Sequence, residues 1–399
     1  MKMKLLIISN YWHFKDEKSS SRYNTIAEMA LERGIATEVI TSSFYHTRKE
    51  QRDRIPNSEY KTVLIKEPSY KKNISIKRII SHKTFANGVI KYLKELKEKP
   101  DVIYLFVPPT GLAKKVVDFA NRNRIKIIID VLDLWPEAFE MVLPIPFSKL
   151  LLPMKRDVEF AYENADRIVA VSKGYANRAV SINKKTSDGM AVYIGTDLSV
   201  FDKNAENAPE LDGKLRPITM AYIGMLGKSY DLIAVMQAMK ELIESGYDIV
   251  EFLVMGNGPM QQQFAEYAKD NNLPVRFTSR LSYEDMVKKL VKCDFGVNVL
   301  QGKAAQSIIN KHADYLSAGI PIINIQKDKE FSDLLIENNA GIVCPIGDVE
   351  SLKNAIKTLS ENDSVRNVMG RNSRLLAEKY FNRNVTYKRI IDLIEELGK

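Results

Sequence analysis

Short runs of β-branched and aliphatic residues alternate along this chain with segments whose apolar positions recur every three to four residues. That alternation is the mark of stacked βα units feeding a parallel sheet. A first series of strands is predicted at 3–8, 36–41, 101–107, 125–131, 167–171 and 190–194, and a second at 217–223, 249–255, 274–278, 294–299, 320–325 and 341–344. Between them, residues 202–216 are polar, hold Pro209 and Gly213, and show no period, so they read as an interdomain linker. The segment 231–244 illustrates the helical signal: Leu232, Val235, Met236, Met239, Leu242 and Ile243 fall on one stripe. A Met-containing stripe of this kind packs a sheet and carries no chemistry.

Composition narrows the class. A chain of 399 residues, 45% hydrophobic and 27% charged, is longer than one core usually serves, so two domains are expected. The opening apolar run Leu5 to Ile8 stops at Ser9-Asn10, too short for a signal-peptide core, and the chain is expected to stay in the cytoplasm. Cys293 and Cys344 lie in no CxxC or Cys/His cluster, which predicts buried, reduced thiols rather than a disulfide or zinc. The net charge of +9 is uneven: residues 1–200 hold 34 Lys and Arg against 23 Asp and Glu, whereas residues 201–399 hold 25 against 27. In the densest stretch, Lys61 to Lys99, the cations Lys71, Lys72, Lys77, Arg78 and Lys83 interleave with Tyr70, Ile74, Ile76, Ile79 and Ile80. Such a segment suits anionic lipid headgroups and equally a solvated helix face. Nucleic acid is excluded as a partner, because no stacking platform of aromatics runs among the basic residues. Residues 139–154 are apolar but broken by Pro144, Pro146 and Pro153, so they cannot cross a bilayer as a clean helix; core, a dimer contact and a lipid contact remain open.

Two familiar chemistries can be set aside. After Ile8 the chain reads Ser9-Asn10-Tyr11-Trp12-His13-Phe14, with no glycine before Gly34, so the Gly-x-Gly-x-x-Gly turn of a dinucleotide site is missing; a P-loop is missing throughout. The second series is more promising. Gly224-Met225-Leu226-Gly227-Lys228-Ser229-Tyr230-Asp231 follows a strand and precedes the 231–244 helix. Its glycines admit close backbone approach, and a helix N-terminus offers N–H groups to a phosphate, although an ordinary βα turn uses the same residues. Farther on, 306–321 combines a polar loop, a helix predicted to start near Ser307, and Gly319-Ile320-Pro321 entering a strand. There Lys311 and helical N–H groups suit a diphosphate and Asp314 suits ribose hydroxyls; a solvated helix with a glycine C-cap is the competing reading.

The 306–321 segment resembles the signature of glycosyltransferase family 4, in which Glu-x(7)-Glu precedes small residues, Gly-x-Pro and a buried strand. Three further pieces are similar in order and spacing: Gly256-Asn257-Gly258-Pro259, the Ala165 to Ser172 strand, and Tyr193-Ile194-Gly195-Thr196-Asp197 with Phe201. Asp133-Leu134-Trp135-Pro136-Glu137 resembles the subgroup that builds bacterial surface polysaccharides.

The resemblance implies an α/β protein of the GT-B fold, two Rossmann-like parallel-sheet domains facing a central cleft. Residues 1–200, joined by a C-terminal helix at 381–399, would bind the acceptor; residues 201–380 would bind a nucleotide sugar. It further implies retaining transfer from UDP-sugar or another nucleotide sugar, as substrate rather than cofactor, to a glycan or lipid-linked acceptor, on the inner membrane face if the basic half docks there. By resemblance Asp314 takes the ribose, Gln306 lies near the donor sugar, Arg280 and Leu281 lie against the base, and Ser307, Ile308, Ile309 and Asn310 offer N–H groups. Lys228 and Lys311 would neutralise the diphosphate, with Gly224, Gly227 and Gly256 lining it and Asp133 touching the acceptor or donor sugar. Departures are visible: Met225 stands where many members carry Arg, Gln306 replaces a carboxylate, Leu132 replaces a His, and Ser19-Ser20-Ser21-Arg22 stands in for a glycine pair. An epimerase or phosphorylase on the same fold and a non-catalytic donor-binding subunit are the alternatives. Asp130 and Asp133 fall on opposite faces of a strand pattern, and no metal is expected.

Overall fold

The computed structural model describes residues 2–15, 17, 21–52, 54–55, 58–140, 151–208, 217–247, 250–301 and 308–399. They form two units, residues 1–193 with 386–399 and residues 194–385. The first holds a seven-stranded parallel sheet. In chain order its strands are β1 (Lys4–Ser9), β2 (Ala36–Ser42), β5 (Lys61–Ile65), β6 (Val102–Val107), β7 (Lys126–Val131), β8 (Arg167–Ala170) and β9 (Gly189–Ala191); a short antiparallel pair, β3 (Phe44–Tyr45) and β4 (Glu50–Gln51), lies apart from it. The spatial order is β5-β2-β1-β6-β7-β8-β9. The middle strand β6 is buried along its whole length because helices cover both faces, which is why it reads Val-Ile-Tyr-Leu-Phe-Val without a polar break. β5 escaped the periodicity reading: it is an edge strand, half-buried, opening on Lys61 and lying inside the stretch dominated by lysines.

The second unit holds six parallel strands: β10 (Thr219–Ile223), β11 (Glu251–Met255), β12 (Val275–Phe277), β13 (Phe295–Val299), β14 (Ile322–Ile325) and β15 (Gly341–Val343), ordered β12-β11-β10-β13-β14-β15. The helix at Leu232–Glu244 buries Leu232, Val235, Met236, Met239 and Leu242, with Asp231 capping its first turn through Ala234 N–H. Gly296 is a glycine for a packing reason: a Cβ there would lie 2.7 Å from the ring of Tyr315.

The expected linker begins as structure. Asp202 sits in the helix Leu198–Glu206, capped by Asp197, and its carboxylate takes both guanidinium nitrogens of Arg374 at 2.6 and 2.8 Å. Residues 209–216 lie outside the described residues. The two stretches by which the chain enters and leaves the second unit run side by side: Thr196 N–H donates to Phe381 O (2.7 Å) and Arg383 N–H to Thr196 O (3.0 Å). Gly195, at φ +63°, is required there, since a Cβ would lie 2.5 Å from Phe381 O. The chain rejoins the first unit at Thr386, so 381–385 stay with the second. The final helix, Lys388–Gly398, then buries Ile390, Ile391, Leu393 and Ile394 among Leu5, Ile7 and Trp12. Both cysteines are buried and neither is in a disulfide. No described helix is long and apolar enough to cross a membrane.

Candidate functional site

Ligands of open parallel sheets sit at the carboxyl ends of the strands, and in the second unit that edge is built by loops that lock together. Gly224, directly after β10, donates its N–H to Met255 O at 3.0 Å. Leu226 N–H donates to Asn257 O (2.9 Å) and Met260 N–H to Leu226 O (3.0 Å), so the β10 and β11 turns zip into one ridge. Such close approach excludes side chains. A Cβ on Gly256 would lie 1.8 Å from Gly224 O, and one on Gly258 would lie 2.4 Å from Leu226 O. Gly224 itself has φ +130°, the region that favours glycine. Gly227 differs, because a Cβ there would meet only Met225 side-chain atoms at 3.7 and 3.9 Å.

Beneath this ridge lies Lys311. The helix carrying it runs Asn310–Ser317, three residues later than the sequence suggests, with Ile309 at the cap position. Its tip is at the surface, Asn310 exposed and Ile309 half-buried, but Lys311 turns inward and is only 7% exposed. Its ammonium sits 4.0 Å from the ring centroids of both Tyr222 and Tyr230 and 3.5 Å from where a Gly224 Cβ would be. Nζ makes no hydrogen bond to any described residue. Burial without a carboxylate holds its pKa well below the ordinary value of 10.5. Behind it, His312 stacks on Phe331 at 3.6 Å, and Tyr315 OH accepts from Ile223 N–H at 3.0 Å. The helix is thereby fixed to the end of β10.

Asp314, one turn on, is half-buried and points toward the entering stretch of chain. Its Oδ1 accepts from Thr196 Oγ and from Tyr283 OH, each at 3.0 Å. Arg280 is exposed and Leu281 half-buried, after a bridge between Gly256 and Ser279 that brings the β12 turn to the ridge. Lys228 and Met225 are exposed on the β10 turn, Met225 at 66%. Ile308 is buried, and Gln306 and Ser307 lie outside the described residues. The structure thus gathers Gly224, Gly256, Lys311 and the ring faces of Tyr222 and Tyr230 around one turn. The two tyrosines were not singled out from sequence, where they read as ordinary strand and turn aromatics.

In the first unit, the Ser21-Arg22 pair does not serve as an open phosphate loop. Ser21 caps the helix Arg22–Glu32, and Arg22, fully buried, spends its guanidinium on Asp130 at 2.7 and 3.0 Å and on Val192 O. Ser19 and Ser20 lie outside the described residues. Asp130 also accepts from Tyr104 OH, so it belongs to the core, whereas Asp133 lies past the end of β7 and accepts from Trp135 Nε1 at 2.9 Å. Burial raises the Asp133 pKa against that hydrogen bond. Among the described residues no three His, Cys, Asp or Glu side chains converge as a metal site. Most of the apolar 139–154 stretch also lies outside them; Phe139 packs edge-on against Trp135 at 4.6 Å.

A polar cluster beside Asp133 was not foreseen. Arg78, 9% exposed, donates to Tyr11 OH (2.8 Å) and Asn73 O (2.6 Å) and lies over Trp135 at 4.7 Å. Tyr11 OH also meets His82 Nε2 at 3.0 Å, and Lys49 Nζ meets His46 Nδ1 at 3.1 Å. Burial, then the neighbouring cations, pushes His46 down to about 4 and His82 down to about 3, so both imidazoles are neutral at pH 7. The residues come from four different segments, and no local motif announces them.

With the geometry in view, the comparisons are specific about the second unit. Residues 217–362 match the family model Glycosyl transferases group 1. An uncharacterized glycosyltransferase of Methanocaldococcus jannaschii is 20% identical over 239 residues, 59% of this chain, and the match spans only 60% of that relative's length. Among solved structures, sucrose-phosphate synthase from Thermosynechococcus elongatus superposes with a TM-score of 0.73 at 15% identity, covering 99% of both chains. HepE of Anabaena in complex with UDP gives 0.69 at 14% identity, covering 99% of this chain and 100% of that one. A UDP-N-acetylglucosamine 2-epimerase is a weaker likeness, at 0.57 and 14% identity over 100% and 97%. The fold is GT-B, with two parallel-sheet α/β units, and the matched domain is the one that carries the glycine ridge and Lys311.

Proposed function

We propose that this protein is a retaining glycosyltransferase that takes a sugar from a nucleotide-diphosphate donor and delivers it to a glycan acceptor, lipid-linked and destined for a bacterial surface polysaccharide. The observation that carries the reading is Lys311, a buried amine with no carboxylate beside it among the described residues, under a glycine turn at the carboxyl end of β10, in a domain matching group 1 glycosyl transferases. A buried ammonium without a counter-charge is costly unless a ligand supplies one. A diphosphate seated on the Gly224–Gly227 turn would do so. Its charge would also meet Lys228 and the N–H group of Asn310 at the helix tip.

In this reading Asp314 would exchange its hydrogen bonds with Thr196 and Tyr283 for ribose hydroxyls. Arg280 and Leu281 would face the base, with Gly256 keeping the floor of the site flat, and Gln306, Ser307 and Ile308 would line the sugar. Asp133, with Tyr11, His46 and His82 nearby, would face the acceptor. Catalysis would consist of holding the reactants and stabilising the departing diphosphate, with Lys311 and Lys228 as its counter-charges. No cofactor beyond the donor is called for. UDP is the first donor base to try, since the similar Anabaena protein was solved with UDP and with UDP-glucose.

The test is calorimetric titration with UDP and a panel of nucleotide sugars, followed by product analysis. Binding of a nucleotide sugar with release of free nucleotide supports transfer. Epimerised nucleotide sugar instead would favour the epimerase reading, for which the 2-epimerase likeness is the specific support. Binding without turnover would favour a donor-binding subunit, in line with Met225 standing where many members carry Arg.

A further inference from the structure

The helix Ile76–Glu95 carries apolar side chains on two faces, the inward one from Phe85 onward and the outward one at its N-terminal end. One is expected: Phe85, Ala86, Val89 and Leu93 are buried in the core of the first unit. The other is not. Ile76 is 75% exposed, Ile79 65% and Ile80 52%, and Ile74, just before the helix, is 53% exposed. Positions 76, 79, 80 and 83 recur at i, i+3, i+4 and i+7, so the isoleucines and Lys83 form one outward stripe. Fourteen large hydrophobic side chains are exposed among the described residues, and four of them fall within these seven positions. Single exposed isoleucines need no explanation, but a clustered patch does.

Charge identifies what the patch suits. From Pro68 to Lys94 the chain holds seven Lys and Arg and not one carboxylate. Lys71, Lys72, Lys77 and Lys83 are exposed around the isoleucines. Arg78 alone turns inward, and its bonds to Tyr11 OH and Asn73 O hold the helix start in place. Ser75 caps the first turn through Arg78 N–H, and Ser81 Oγ donates to Pro68 O. The patch is therefore presented by anchored backbone.

We infer that this face, Ile74, Ile76, Ile79 and Ile80 ringed by Lys71, Lys72, Lys77 and Lys83, seats the protein on an anionic lipid bilayer. The isoleucines enter the acyl boundary and the ammonium groups meet headgroup phosphates, the arrangement of an interfacial helix. A second copy of the chain would bring lysine against lysine with no acid between them, which charge disfavours. Nucleic acid finds no exposed aromatic in the patch on which to stack a base. The inference stands on this face alone and does not depend on the reading of the donor site.

Flotation of the full chain with phosphatidylcholine vesicles, with and without phosphatidylglycerol, tests it. Binding is expected only to the vesicles containing phosphatidylglycerol, weakening as salt is raised. The triple variant Ile76→Ser/Ile79→Ser/Ile80→Ser should lose at least roughly tenfold in partitioning. Each Lys→Glu change at 71, 72, 77 or 83 should cost roughly fivefold or more. These side chains are exposed, so the thermal transition of every variant should match the parent. Failure to float with anionic vesicles overturns the inference. So does equal binding by the triple serine variant, or a dimer of the parent that the triple variant dissolves.

Discussion

Replacing Lys311 with Met should separate the cost of this residue from its use. The parent buries an ammonium that makes no hydrogen bond to a described residue and rests 4.0 Å from two tyrosine rings. An unsatisfied buried polar group costs about 1–3 kcal/mol. The ring faces return about 0.5–2 kcal/mol while the group is charged, but a methionine of similar volume keeps comparable contact through its sulfur. The variant should therefore be more stable by about 1–2 kcal/mol, which for a unit of this size raises its melting temperature by roughly 2–8 °C. Nucleotide binding should move the other way. Losing one charge-assisted bond to phosphate costs about 1.5–3 kcal/mol, or roughly tenfold to 150-fold in Kd. The pH dependence has a fixed sign. In the unfolded chain the amine titrates near 10.5, and in the folded chain well below it. Between those values the unfolded state binds more protons, so the parent gains stability relative to the Met variant as pH rises through that window, and the gap closes toward pH 10.5. Bound diphosphate favours the ammonium, so parent affinity should fall as pH rises above the depressed pKa, and the variant should lack that slope. Denaturant melts at several pH values and titration with UDP read both quantities. A Met variant that melts lower than the parent and binds UDP equally well would refute the reasoning.

Three other outcomes are expected. Gly256→Ala places a Cβ 1.8 Å from Gly224 O, so the zipped turns must part; a loss of about 1–3 kcal/mol in urea unfolding is expected, with nucleotide affinity reduced as well. Arg22→Met strands the Asp130 carboxylate at 0% exposure and should cost about 3–5 kcal/mol by the same measurement, whereas Arg22→Met combined with Asp130→Leu should recover much of it. Asp314→Asn keeps an oxygen for Thr196 and Tyr283, so its melting temperature should change little while affinity for nucleoside diphosphate drops; equal affinity would remove Asp314 from the site.

What sequence alone can and cannot determine follows from the range over which each signal acts. Hydrophobic runs located all the central strands of both sheets to within a few residues, because a strand buried on both faces must be apolar throughout. β5 escaped because an edge strand is only half covered and so keeps lysine and threonine. The glycines of the β10 and β11 turns were noticed as a route to a ligand, but only the fold supplies the reason for Gly256, the carbonyl of Gly224 arriving from a different strand. Lys311 was legible as a cation near the start of a helix; its inward turn was not, since helix phase by itself does not say that Tyr222 and Tyr230 will receive it. Arg22 and Asp130 lie 108 residues apart, and nothing local makes them partners. The same holds for Tyr11, His46, Arg78 and His82. Local sequence determines which segments become strands and helices because backbone propensity and burial act over a few residues. Which charges meet, which are paired and which stay uncompensated is decided by strand order, and that exists only once the sheet has formed.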